Sequence, residues 1–251
     1  MESLSELLSQ WPHSRGSGAT VALVDSGVET SHPALAGAAI ECVALSFDGD
    51  ATVAQPCGGR DVGGHGTACA ARILSIAPEA RILSCRVLSQ SLQATSRQLI
   101  ASLEWLAQRE DLDVVNLSLG TPNRALGLEI AHAVDRFYAR GVPVVASSGP
   151  AQRPDYPAVF SGPVSVASAD CGDQDLVYRP GDLVEFGACG EARHVPWAGG
   201  GYLTISGSSF AAPLVAGRLA RFKALNRSLT VWELKTLLQH QSIRTPIRID
   251  R

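Results

Sequence analysis

Three polar residues in the sequence could together activate a nucleophile. Asp25 ends the apolar run VALVD, His65 lies among glycines in GGHGTACAA, and Ser209 lies in SGSSFAAP. A serine hydroxyl is a weak nucleophile at its own pKa, and a histidine, which titrates near neutrality, can remove its proton. A buried carboxylate can hold that histidine in the required tautomer and stabilise its protonated form. These residue types therefore indicate acyl transfer to a serine.

Each of these residues also has an ordinary structural explanation. An aspartate after a strand often forms a turn, a histidine between glycines is often a loop residue, and a serine before a helix is often its N-cap. The chemical interpretation rests on finding all three in one chain, in the order Asp, His, Ser.

Alternating strands and helices are predicted to position these residues. Apolar runs predict strands over 20–27, 80–88, 113–120, 142–149 and 164–168. Helical spacing predicts helices over 96–110, 126–141, 208–226 (which contains a proline) and 230–240, the last with a capping box. Near-continuous apolar strands that alternate with helices indicate an α/β fold, a three-layer parallel β-sheet flanked by helices. Sites in such sheets form at the carboxyl ends of the strands.

Composition favours one globular enzyme domain. The chain has 251 residues, of which 45% are hydrophobic and 18% charged, so it can form a large core. The formal net charge is −3 without a basic stretch, which argues against nucleic-acid binding. No apolar run reaches the roughly 18 residues of a membrane span. Since no linker or repeat divides the sequence, residues 1–251 are expected to form a single domain.

The cysteines and the N-terminal residues indicate the cellular compartment of the protein. The six cysteines lack C-x-x-C spacing, so no zinc site is predicted; they are Cys42, Cys57, Cys69, Cys85, Cys171 and Cys189. The first residues do not show the basic and apolar regions of a secretory signal. A cytoplasmic protein with reduced thiols is therefore expected, and a trimmed, secreted mature chain is the alternative.

The three motifs resemble those of the subtilisin-like serine proteases (peptidase S8). VALVDSGVETSHPAL is similar to that family's aspartate motif, GHGTACAA to its histidine motif, and GSSFAAPLVAG to its serine motif. The resemblance extends from about residue 18 to 240. It implies a subtilisin-like fold, catalytic Asp25, His65 and Ser209, and a peptide or protein substrate.

The resemblance also implies how a substrate would bind. DVVNLSLG is similar to the family's substrate-binding strand, on which a peptide pairs as an extended strand. The substrate-binding residues implied are Ser118, Leu119, Gly120, Ser147, Ser148 and Gly149. The stretch 88–96 is expected to form a further side of the main pocket. None of these stretches carries a charge, so a strongly charged substrate side chain is not expected there.

One departure from the family affects the oxyanion hole. The family has a Gly-Asn pair after the strand at 144–149, and its asparagine amide donates to the oxyanion; here the pair is Gly149-Pro150. Proline supplies neither a side-chain donor nor an N–H. Losing one such donor costs about 10²–10³ in kcat, and the Ser209 N–H would remain. Candidate replacements are Ser208, Ser148, Gln152 and Ser147, or an ordered water.

A second departure removes the family's calcium loop. The run CAARILSIAPEARILSCRVL continues past the histidine motif without the insertion that often wraps a calcium ion. FDGD at 47–50 offers two aspartates, whereas calcium takes about six to eight oxygen ligands. This segment is interpreted as a surface turn, and neither a metal nor another cofactor is predicted.

Three functions fit the sequence. The first is a serine endopeptidase, expected to be a dedicated protease that removes a leader or propeptide, since no export signal or pro-domain is evident. Its compactness, missing calcium loop and free cysteines also resemble the protease domains of bacterial peptide natural-product pathways. The second is a pseudo-protease that binds a peptide or partner, a view supported by Pro150. The third is an acyl transferase or macrocyclase, which would need a cover that excludes water.

Overall fold

The computed structural model describes residues 3–48, 51–149, 155–171 and 175–244. The helices are α1 Leu4–Gln10, α2 His65–Ile76, α3 Ser96–Leu106, α4 Gly127–Tyr138, α5 Ser208–Leu225 and α6 Val231–His240. The strands are β1 Thr20–Asp25, β2 Ile40–Asp48, β3 Ala51–Pro56, β4 Arg81–Arg86, β5 Val114–Leu117, β6 Val144–Ser147, β7 Val164–Ala169, β8 Leu176–Tyr178, β9 Phe186–Cys189, β10 Glu191–Trp197, β11 Gly201–Ser206 and β12 Ile243–Arg244.

A mostly parallel sheet forms the middle layer. Within the described residues it has ten strands in the order β12-β8-β9-β7-β6-β5-β1-β4-β2-β3. The predicted α/β architecture is confirmed. The sequence prediction omitted the antiparallel pairs β2–β3 and β8–β9 and the separate hairpin β10–β11. Strand β3 lacks the continuous apolar run of a central strand, since it alternates between half-buried and exposed residues. Strand β9 is fully buried, but its sequence FGAC contains a glycine, which is unfavourable inside a strand.

Helices cover both faces of the sheet. On one face α2, α5 and α6 bury side chains such as Ile73, Val215 and Leu234. On the other, α3 and α4 bury Leu103 and Phe137. No helix in the described ranges is both long and apolar enough to cross a membrane.

The central strands bring the site residues to one edge. Every residue of β1 is buried, as expected for a strand covered on both faces. Val24 of β1 pairs with Leu117 of β5, and Leu117 pairs with Ala146 of β6. The residues that follow, Asp25, Ser118 and Ser147, therefore lie side by side at the carboxyl edge.

The predicted helix signals are present. Helix α6 begins with the capping box formed by Thr230 and Glu233. Helix α5 continues through Pro213. This proline lies four residues after Ser209.

Candidate active site

Asp25 and His65 form a buried pair. Nδ1 of His65 lies 2.8 Å from Oδ1 and 2.9 Å from Oδ2 of Asp25. Asp25 is completely buried and also accepts a hydrogen bond from the N–H of Ser26 at 2.7 Å. A carboxylate can only accept, so Nδ1 carries the proton and donates. This tautomer leaves Nε2 of His65 as a proton acceptor.

A second buried carboxylate, Asp61, fixes the loop around this pair. Its Oδ1 accepts from the Ser26 hydroxyl at 2.8 Å and from the N–H groups of Gly63 and Gly64 at 2.9 and 2.8 Å. Its Oδ2 accepts from the N–H and the hydroxyl of Thr67 at 2.9 and 2.6 Å. The carboxylate thus ties the end of β1 to the first turn of α2. The sequence analysis missed this residue, although a carboxylate just before a glycine-rich loop was a signal for it.

A close backbone approach places His65 over Asp25. A Cβ added to Gly66 would lie 2.0 Å from the carbonyl oxygen of Gly27 and 3.1 Å from Cβ of Asp25. The N–H of Gly66 donates to the Ser26 hydroxyl at 3.1 Å. Only glycine allows the start of α2 to lie this close to the end of β1.

Ser209 lies in the first turn of α5 and is bonded reciprocally to Ser118. Its hydroxyl donates to the Ser118 carbonyl at 3.1 Å, and the Ser118 hydroxyl donates to the Ser209 carbonyl at 2.9 Å. In an α-helix the Ser209 carbonyl would accept from the N–H of residue 213. That residue is Pro213, which has no N–H, so the carbonyl is available to Ser118. The helix proline therefore couples the serine to the strand beside it.

The thiol of Cys69 lies between the histidine and the serine. Its Sγ is 3.7 Å from Nδ1 of His65, 3.6 Å from the Ser118 hydroxyl and 3.5 Å from the Ser209 carbonyl. The ring of Phe210 lies 5.0 Å from the ring of His65, between centroids. The structure thus brings Asp25, His65 and Ser209 together around one buried cluster, as the sequence analysis predicted; their catalytic roles remain predictions.

These groups are poorly suited to hold a metal. One ligand atom each from Asp25, His65 and Cys69 lies within 4.8 Å of the others. Burial raises the pKa of the Cys69 thiol, so it stays protonated at neutral pH. Nδ1 of His65 already donates to Asp25. The set favours proton transfer over coordination.

The pKa of His65 is raised above its ordinary value. Burial lowers this pKa, but the neighbouring Cys69 and Asp25 raise it by more. Since the Cys69 thiol is protonated, the Asp25 carboxylate is the charge that acts at neutral pH, by stabilising the protonated ring.

An open cleft of about 560 Å³ lies beside Ser209. It is lined by all six predicted substrate-binding residues and by Asp155, Ala167, Ser168, Gly207, Ser208 and Ser209. No residue of the stretch 88–96 is among the described lining residues of this cleft. Leu92 lies beside Gly63, and the Ser96 and Thr121 hydroxyls are hydrogen-bonded at 2.7 Å, next to Gly120. The cleft also has an ionisable side chain, Asp155, which comes from a loop outside the stretches considered in the sequence analysis; the preference for an uncharged substrate side chain stays a prediction.

Only some of the candidate oxyanion donors lie within the described residues. Pro150 and Gln152 lie outside the described residues. The hydroxyl of Ser208 donates to the carbonyl of Ser148 and so joins the two sides of the cleft, which removes it from the role of a free donor. The N–H of Ser148 donates to Val166 at 2.8 Å, and Ser147 lines the cleft. The N–H of Ser209, in the first turn of α5, has the position of a helix donor that lacks a helical partner.

The connection after α2 is short. Helix α2 ends at Ile76 and β4 begins at Arg81, so residues 77–80 alone join them. This agrees with the missing insertion. Phe47 and Asp48 end β2, while residues 49 and 50 of the FDGD segment lie outside the described residues.

A parallel sheet with a buried Asp–His pair beside a serine at a helix start is the arrangement of a serine protease. Residues 16–248 match the subtilase family, peptidase S8. The chain is 34% identical over 232 residues to thermitase of Thermoactinomyces vulgaris, covering 87% of this chain and 79% of that protein. It is 31% identical over 237 residues to subtilisin Savinase of Lederbergia lenta, covering 90% and 83%.

Solved structures agree with this assignment. The crystal structure of a cold-adapted subtilisin-like serine proteinase aligns with a TM-score of 0.75 at 28% identity, covering 94% of this chain and 86% of that one. Sphericase aligns with a TM-score of 0.74 at 28% identity, covering 90% and 83%. The chain therefore belongs to the subtilase family and is a subtilisin-like serine endopeptidase.

Proposed function

We propose that Asp25, His65 and Ser209 hydrolyse peptide bonds through an acyl-enzyme. Rotation of Ser209 about χ1 moves its hydroxyl from the Ser118 carbonyl toward Nε2 of His65. The ring takes the proton while Oγ attacks the substrate carbonyl, and it then gives the proton to the leaving amine. A water molecule then attacks the acyl-enzyme in the same way, with His65 again taking the proton. This step releases the carboxylic acid product and restores the Ser209 hydroxyl. The observation that carries this proposal is the bond from Nδ1 of His65 to buried Asp25, which leaves Nε2 as the base.

The start of α5 supplies charge stabilisation in this scheme. The N–H of Ser209 and the positive end of the helix dipole face the forming oxyanion. The substrate pairs as an extended strand along Ser118, Leu119 and Gly120, and the side chain before the scissile bond enters the cleft.

A fluorophosphonate probe tests the nucleophile. The folded wild-type enzyme is expected to react at Ser209, and Ser209→Ala is expected to lose all labelling and about 10⁶-fold in kcat. The matched control is Ser75→Ala, an exposed serine of α2 whose hydroxyl bonds only within its own helix, and this variant is expected to label normally. Folded wild-type protein that does not label would favour the pseudo-protease instead.

We further propose that the enzyme is a processing protease that removes a leader or propeptide. The open cleft beside Ser209, with a single ionisable side chain in its described part, supports a selective protease. Mass spectrometry of the products from a folded protein with a disordered extension is the test. Cleavage at one or two sites in the extension is expected, whereas general degradation contradicts the proposal. A cyclised product would indicate the acyl transferase.

The proposed compartment is the cytoplasm. All six cysteines are free, and cytosolic proteins keep thiols reduced. Thiol titration of enzyme isolated from its source cells under alkylating conditions is expected to give six reacted cysteines after denaturation. Oxidised pairs, or recovery of the enzyme in the extracellular fraction, would contradict this.

A further inference from the structure

We infer that Cys42 and Cys57 form a reversible disulfide when the protein meets a low-molecular-weight disulfide such as oxidised glutathione, and that this bond stabilises the fold beside the loop that carries Asp61. The inference goes beyond the proposed function, because it does not depend on whether Ser209 is a nucleophile. It is compatible with the proposed cytoplasmic compartment, since the pair stays reduced until an oxidant is supplied.

The two cysteines lie opposite each other on neighbouring antiparallel segments. Val43 of β2 pairs with Pro56 of β3, and one position further along the N–H of Cys57 donates to the Cys42 carbonyl at 3.2 Å. Directly opposed residues of an antiparallel pair carry their side chains on the same face. The Cα atoms of a hydrogen-bonded pair are about 5.5 Å apart, which lies within the range of about 4.4–6.8 Å that disulfides span. The backbone therefore holds the two sulfur atoms within bonding reach.

The pair is also accessible to a reagent. Cys42 and Cys57 are both half-buried, whereas Cys69, Cys85 and Cys189 are buried. Burial raises the pKa of the Cys42 thiol to about 11, and the neighbouring Cys57 adds to this increase, so the two thiols interact in the reduced protein. Because the raised pKa keeps Cys42 protonated at neutral pH, we assign the first attack to Cys57.

The reaction is a thiol–disulfide exchange in two steps. The Cys57 thiol loses its proton and its sulfur attacks oxidised glutathione, which forms a mixed disulfide and releases one glutathione thiolate. The Cys42 thiol then loses its proton and its sulfur attacks the Cys57 sulfur, which forms the protein disulfide and releases the second glutathione thiolate. The two released thiolates take up the two protons. Two protein thiols are thus oxidised, and one molecule of oxidised glutathione is reduced to two thiols.

The bond would lie at the start of the loop that fixes the catalytic pair. Cys57 comes four residues before Asp61, whose carboxylate ties the end of β1 to the first turn of α2. The sulfur of Cys42 lies 3.9 Å from the carbonyl oxygen of Val28, in the segment that follows β1. Since the two cysteines are 15 positions apart, their bond closes a loop in the unfolded chain and lowers its entropy. The oxidised protein is therefore expected to resist unfolding.

The test uses the whole protein with Ser209→Ala, so that autolysis does not interfere. It is incubated with oxidised glutathione or with dithiothreitol, alkylated, digested and mapped by mass spectrometry, and its thermal unfolding is followed by circular dichroism. We expect a Cys42–Cys57 linkage that dithiothreitol reverses, and a Tm about 5 °C or more above that of the reduced protein. Absence of the linkage, or glutathione retained on both cysteines, overturns the inference. A complete linkage with an unchanged Tm overturns its stabilising role.

Single variants in the same background test the order of attack. Cys42→Ser is expected to stop at the mixed disulfide between glutathione and Cys57, and Cys57→Ser to leave Cys42 unmodified. Neither variant should gain Tm on oxidation. The matched control is Cys171→Ser, which removes another half-buried thiol and is expected to keep both the linkage and the gain in Tm. Rapid addition of glutathione to Cys42 in Cys57→Ser contradicts the assigned order, and a gain in Tm in either single variant shows that another site is responsible.

Discussion

The two sides of the cleft are built differently. On the side of Asp25 and His65, buried carboxylates bond to backbone N–H groups, hydroxyls and the imidazole, so the position of each group is fixed several times over. On the side of Ser148 and Gly149, the walls are backbone and small side chains, with one carboxylate added from a loop. Proton transfer needs a fixed geometry, while substrate choice depends on a few groups that can change without disturbing the sheet. We therefore expect substitutions on the side of Asp25 and His65 to lower activity strongly, and substitutions on the side of Ser148 and Gly149 to lower it little.

The largest effect is expected from removing the charge of Asp25. Asp25→Asn keeps the shape but favours the wrong tautomer of His65, and kcat should fall by about 10⁴-fold. Steady-state kinetics with any good peptide substrate measures this loss, and Asp182→Asn, an exposed aspartate, is the matched control. A decrease of less than about tenfold would show that Asp25 does not orient the base.

The pH dependence of kcat/KM tests the same side without a mutation. In the proposed mechanism Ser209 needs neutral His65 as its base, and the pKa of His65 is raised above the ordinary value of about 6.5 because Cys69 and Asp25 raise it by more than burial lowers it. Activity should therefore be lost as the pH falls through this raised pKa, by about tenfold per pH unit below it. The residual activity of Asp25→Asn should show its acid limb at a lower pH than the wild type. An acid limb of the wild-type kcat/KM profile with its midpoint at or below pH 6.5 would contradict this prediction.

A smaller effect is expected at the carboxylate that fixes the loop. Asp61→Asn replaces one acceptor oxygen by a donor that faces other donors, which should lower the free energy of unfolding by about 1–3 kcal/mol. Denaturant unfolding measures this change. The value of kcat should fall as well, because the start of α2 carries His65. Unchanged stability together with unchanged kcat would mean that the loop holds its position without this carboxylate.

The smallest effect on kcat/KM is expected from a substitution at Ser208, on the other side of the cleft. Ser208→Ala removes the hydroxyl that donates to the Ser148 carbonyl and leaves the small-residue wall in place. One neutral hydrogen bond contributes about 1 kcal/mol, so kcat/KM should fall by less than about tenfold. A loss of about 10²-fold or more would instead assign the Ser208 hydroxyl to the oxyanion hole, as the sequence analysis allowed.

Motifs and periodicity predicted the central sheet, the main helices and the three residues that meet beside it. They succeeded because apolar runs and capping boxes are local properties of the chain. Asp155 was not predicted, because its place in the pocket depends on the pairing of Tyr156 with Thr121, which are 35 positions apart in the sequence. The link between Pro213 and Ser118 was missed for a similar reason. The sequence shows the proline, but it does not show that the Ser118 hydroxyl donates to the Ser209 carbonyl in place of the missing N–H.

The contact between Gly149 and Asp155 has an evolutionary consequence. A single methyl group at position 149 would occupy the space of the carboxylate and expel it from the wall. Glycine and alanine codons differ by one base, so one nucleotide change would be enough to displace this carboxylate from the cleft wall, while the sheet and the buried pair stay as they are.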